Sequence, residues 1–113
     1  MAVPRPLSRD EREVLDALLT DDVPGVEALR TQARTVLAAP GCSCGCGSID
    51  LHVQPGPAAP GIAGPVSASV VAADGAEIGS LDLFLHEGRL SLLEVSTWLD
   101  DPLPMPSVDQ LVR

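Results

Sequence analysis

Lysine, asparagine and tyrosine are wholly absent from these 113 residues, and the aromatics reduce to Phe84 and Trp98. Each absence excludes something. Seven arginines stand against sixteen acids, so the formal charge is −9 and no basic stripe exists for a phosphate backbone to follow. Without tyrosine, and with a single phenylalanine, single-stranded bases find no platform to stack on. No apolar run approaches the roughly 18 residues of a membrane-crossing helix. The opening MAVPRPLSRDEREV carries no apolar stretch of the secretory kind. The expectation is a cytoplasmic protein that engages neither nucleic acid nor membrane. All three missing residue types use AT-rich codons, which points to a high-GC bacterial genome.

What is present is aliphatic. Sixteen Leu, twelve Val and thirteen Ala dominate an apolar content of 45%, and mean hydropathy is positive. Such a chain folds rather than staying disordered, and its length suits one domain over 1–113. Charge is uneven. Residues 1–34 hold seven acids and five arginines, whereas residues 35–113 hold nine acids and only Arg89 and Arg113. That field favours a basic protein partner over an acidic one, though acidity also serves plain solubility.

Ser8-Arg9-Asp10-Glu11 forms a capping box, and Val14, Leu15, Leu18 and Leu19 share one stripe, which predicts a helix over about 9–20. Asp21-Asp22 breaks it. Pro24 suits a new first turn, and Val26, Leu29, Ala33 and Val36 keep a helical period, giving a second helix over about 23–34. Beyond residue 34 the period falls to two. Strands are expected at about 35–39, 47–53, 66–73, 76–86 and 89–97, with hairpin turns at Asp74-Gly75 and Glu87-Gly88. Four prolines and three glycines make residues 54–65 a loop. Leu90 and Leu92 have one parity and Leu93 and Val95 the other, so the last strand is either covered on both faces or bulged. Residues 98–113 are a Pro-rich tail, expected to strap over the sheet through Trp98, Leu103 and Leu111. The fold class is α+β: an N-terminal two-helix hairpin packed on one face of a four- to five-stranded, mostly antiparallel sheet. Phe84, Leu90 and Leu92 are expected on the uncovered face, where a second copy of the chain could pair.

Cys42-Ser43-Cys44-Gly45-Cys46 leads into Ser48-Ile49-Asp50, and Gly88-Arg89-Leu90-Ser91-Leu92-Leu93-Glu94 precedes the Pro-rich end. This order of parts resembles small uncharacterised bacterial proteins of high-GC, actinobacterial type. They carry a helical N-terminus, a Cys-x-Cys-Gly-Cys-x-x-Ile/Val-Asp segment and a C-terminal β-meander. The resemblance covers most of the chain. It implies a fold and brings no activity with it.

The cysteines are the sharpest chemical feature. Zinc takes four ligands, commonly from Cys-x₂₋₄-Cys knuckles; here the spacing is Cys-x-Cys-x-Cys. In extended chain, alternate thiols lie about 6.6 Å apart on one face, so Gly41, Gly45 and Gly47 must let the segment curl around a metal. A zinc site would use Cys42, Cys44 and Cys46, with His52, of matching parity, as the fourth ligand, or His86 from a neighbouring strand. The plainer alternative is three compact thiols packing a turn. No cation lies between Arg34 and Arg89 to support a thiolate. Acid pairs have plain roles as helix-start, turn and tail charges, and no nucleophile or phosphate-binding motif occurs. The functional expectation is a non-enzymatic, protein-binding module, an immunity-like role being one form of it, with the small metal-binding protein as the alternative.

Overall fold

The computed structural model describes residues 3–20, 25–41, 46–59 and 65–112. Two helices, α1 (Arg9–Leu18) and α2 (Val26–Thr35), lie against a seven-stranded antiparallel sheet. Its strands are β1 (Arg5–Pro6), β2 (Leu37–Pro40), β3 (Ile49–His52), β4 (Val66–Val71), β5 (Glu77–His86), β6 (Arg89–Thr97) and β7 (Leu111–Val112), in the spatial order β1-β2-β3-β6-β5-β4-β7. The α+β layout therefore holds, with seven strands rather than four to five. The two additional strands are the sheet's edges, each two residues long, too short to show any alternation in sequence.

The helix start works as its residues dictate. The Glu11 amide donates to Ser8 Oγ at 3.2 Å, and the Ser8 amide donates to Glu11 Oε1 at 2.8 Å. Arg5 closes on the same carboxylate from β1 with two hydrogen bonds of 2.8 and 2.9 Å. The pair ties the first edge strand to the first helical turn. Val14, Leu15 and Leu18 of α1 face Val26, Leu29 and Ala33 of α2 and the sheet in one buried cluster. Each fully buried Leu contributes about 1.5–3 kcal/mol relative to exposure. α1 stops at Leu18, and α2 begins at Val26 behind Gly25, whose φ of +92° suits glycine. Asp21, Asp22 and Pro24 lie outside the described residues. α2 extends through Thr35, which moves the start of β2 to Leu37.

Both hairpins form where expected. Glu87 (φ +51°) and Gly88 (φ +76°) are the two central residues of the β5–β6 turn, the type I′ signature. The parity conflict in β6 is resolved by a bulge: Phe84 pairs with Leu92 and Leu85 with Leu90, so Ser91 has no opposite residue. The extra residue lets Leu90, Leu93 and Val95 all enter the core. Leu90, 3% exposed, thus leaves the uncovered face to which its parity assigned it.

The tail runs on the helix side. Leu103 Cδ1 lies where a side chain at Gly79 would project, and Gly79 shares its face with Leu81 and Leu83. Leu103, Met105, Val108 and Leu111 pack against the core. Trp98 does not take part in the strap; it is 63% exposed. No helix among the described residues is long and apolar enough to cross a membrane.

Candidate functional site

With helices and tail on one side, the other face of the sheet presents its own side chains. Register places them in cross-strand rows. Asp50 pairs with Leu92, and Leu92 with Phe84. One row further, Glu94 pairs with Asp82, and Asp82 with Ser67. Beyond that, Ser96, Ser80 and Ser69 follow in line. Phe84, Leu92, Asp82 and Glu94 are half-buried, and Asp50 is exposed.

The juxtaposition of Asp82 and Glu94 is the electrostatic feature of this face. Like charges directly opposite on neighbouring strands destabilise a sheet. Asp82 is held by two hydroxyls: Ser67 donates to Oδ1 at 2.5 Å and Ser80 to Oδ2 at 2.9 Å. The side chains of Glu94 and Asp50 make no hydrogen bond or ion pair with any described residue. Ser80 Oγ also lies 2.8 Å from Ser96 Oγ, and Ser69 donates to Glu77 Oε1 at 2.6 Å. The serines fix Asp82 and Glu77 in place without neutralising them.

Of the residues proposed for metal, the two that are described, Cys46 and His52, lie on opposite sides of β3 along the chain. Cys42 and Cys44 lie outside the described residues. The Cys46 thiol, ahead of β3, donates to Ser48 Oγ at 3.2 Å. That hydroxyl accepts from the Val95 amide at 2.9 Å and reaches the Val95 carbonyl at 3.3 Å, extending the β3–β6 ladder with a side chain. His52 closes β3 at its far end and is exposed. Among the described residues its neighbours there are His86, Glu87 and Arg89, which line one shallow groove with it. Among the described residues no three His, Cys, Asp or Glu side chains are grouped to hold a metal ion.

Two buried polar residues escaped the sequence reading. Ser48 is one. Gln32 of α2, 4% exposed, is the other. Its Nε2 donates to the carbonyls of Pro57 and Gly88, both at 3.0 Å, and its Oε1 accepts from the Leu90 amide at 2.9 Å. Gln32 thereby fastens the loop before residue 60 to the β5–β6 turn. Its helical position among Leu29 and Ala33 was the only signal, and a polar residue on an apolar stripe is easily taken for its margin. Compared with known proteins, the chain matches no family model, no curated protein and no solved structure.

Proposed function

We propose that the chain is a non-enzymatic binding module of the bacterial cytoplasm whose open sheet face docks a basic protein. The observation that carries this reading is the facing pair Asp82 and Glu94, set beside Asp50, Phe84 and Leu92. Within the fold the arrangement costs stability. A partner's arginine or lysine placed between the two carboxylates relieves that cost, and Phe84 and Leu92 supply apolar contact next to it. The seven-unit charge excess of residues 35–113 would speed such an encounter. An immunity-like role, neutralising a basic toxin, fits this chemistry. A toxin gene beside the one encoding this chain would support it.

The test is titration of isotope-labelled protein with a basic globular protein, lysozyme, followed by amide resonances. Shifts should concentrate at Asp50, Asp82, Phe84, Leu92 and Glu94, weaken with salt, and vanish in the Asp82→Asn, Glu94→Gln double variant. Shifts centred on the helices, or unchanged in that variant, would refute the reading. A dimer mass in light scattering, lost on Phe84→Asp, would assign the face to a second copy instead.

A further inference from the structure

Between residues 35 and 112 the chain has one arginine and two histidines, and all three line the same groove. His52 ends β3, His86 ends β5 and Arg89 begins β6, so three strands deliver the only basic groups of residues 35–112 to one place. The sheet's remaining cation, Arg5 of β1, is already paired with Glu11. The groove has a volume of about 320 Å³, with Leu51, Val53 and Leu90 among its lining residues. Leu51 and Leu90 are buried and give it an apolar floor.

The wall bearing Arg89 is braced. Arg89 Nη1 donates to the Gly56 carbonyl at 2.8 Å, which holds the guanidinium against the loop. That loop is fastened in turn by Gln32 and by the Ala59 amide, which donates to the Gly88 carbonyl at 2.8 Å. The Nε and Nη2 hydrogens of Arg89 remain without a partner among the described residues. A guanidinium fork suits the paired oxygens of an oxyanion, and each imidazole offers at least one further N–H. Glu87 opposes this chemistry: its Oε1 lies 4.0 Å from His86 Nε2. Its side chain is 84% exposed, so it can swing clear into solvent.

We propose that this groove binds an oxyanion, the carboxylate or phosphate of a small molecule whose apolar part rests on Leu51 and Leu90. The site shares no residue with the acidic patch and differs from it in sign of charge, but adjoins it, since Asp50 and His52 lie two residues apart on one face of β3.

The experiment titrates the labelled protein with inorganic phosphate and, separately, with acetate, each against sodium chloride at matched ionic strength. Saturable shifts are expected at residues 51–53 and 86–91. Saturation by phosphate alone identifies a phosphate-bearing ligand, and saturation by acetate a carboxylate; either upholds the site. Arg89→Gln should abolish the saturable response. Because that change also removes the Gly56 contact, the exposed His86→Gln provides a second reading and should weaken binding several-fold at unchanged thermal midpoint. Glu87→Gln should tighten it. Chloride shifts equal to those of both anions, or full affinity in folded Arg89→Gln, would overturn the proposal.

Discussion

Arg12 and Arg30 cap each other's helices. Arg12, in α1, donates from Nη1 to the Ala33 carbonyl in the last turn of α2. Arg30, in α2, donates from Nε to the Leu19 carbonyl at 2.8 Å and from Nη2 to the Thr20 carbonyl at 3.1 Å, just past the end of α1. A helix end leaves carbonyls without intrahelical donors and carries partial negative charge. The antiparallel hairpin answers both needs with one exchange of arginines, and α1, unlike α2 with Arg34, has no basic residue in its own last turn.

Arg30→Met should therefore lower stability by about 1–2 kcal/mol, since it strips charged donors from two carbonyls. Urea denaturation gives the value. In a double-mutant cycle Arg12→Met and Arg30→Met should be non-additive, because both act on one helix–helix seam. Strict additivity would show that the two caps work separately.

Glu11 makes stability fall in acid. The hydrogen bonds from Arg5 hold its carboxyl below the ordinary range, with burial opposing and the Ser8 amide assisting. A carboxyl lowered in the folded state stabilises fully above its unfolded pKa of about 4.3, and loses that contribution as pH falls through its lower folded value. Glu11→Gln should cost about 1–2 kcal/mol at neutral pH. It should also flatten the stability profile below about pH 5. A profile unchanged by the substitution would contradict the assignment.

Gln32→Leu keeps the volume and removes three hydrogen bonds. The Leu90 amide loses its acceptor, and the Pro57 and Gly88 carbonyls lose their donor. A cost of about 2–3 kcal/mol is expected, together with faster hydrogen exchange at Leu90 and Ala59. Exchange unchanged at both amides would mean the loop is held by other means.

Gly47→Ala should release the tail. A Cβ there would stand 2.0 Å from the Met105 amide nitrogen, a backbone atom with no room to yield. The Gly47 amide also donates to the Leu103 carbonyl at 2.9 Å. Limited proteolysis should then cut between residues 98 and 107 in the variant and spare the parent.

For the cysteine segment, metal analysis of protein purified without chelator is decisive. Should zinc be present, His52→Ala is expected to leave its content unchanged, because β3 separates that imidazole from Cys46. Zinc lost on His52→Ala would overturn that expectation and make His52 a ligand.

Much of this architecture was legible where one residue type has one job. Ser8 and Glu11 marked a helix start, and Asp74-Gly75 and Glu87-Gly88 marked turns. The bulge was half legible: the parity of Leu90 against Leu93 demanded either two covered faces or an extra residue, and only the pairing to β5 decides. Other features depend on residues far apart in sequence. Nothing local distinguishes Gln32 as a clasp for residues 57, 88 and 90, or brings His52, His86 and Arg89 together. Trp98 misled because a large apolar side chain was assumed to seek cover. The charge of the open face could be counted from sequence, but the meeting of Asp82 with Glu94 is a matter of register.

The two-residue edges decide how this molecule can meet others. A sheet propagates from one chain to the next by offering a run of unpaired amides and carbonyls as a template. Here the outermost strands offer Arg5–Pro6 on one side and Leu111–Val112 on the other, and Pro6 has no amide hydrogen to give. Strand-by-strand growth, whether into a fibril or a shared sheet, finds only these short edges and the outer side of β4 at Val66–Ala68 to start from. Contact is then favoured broadside, between surfaces rather than between backbones, where selectivity rests on side chains.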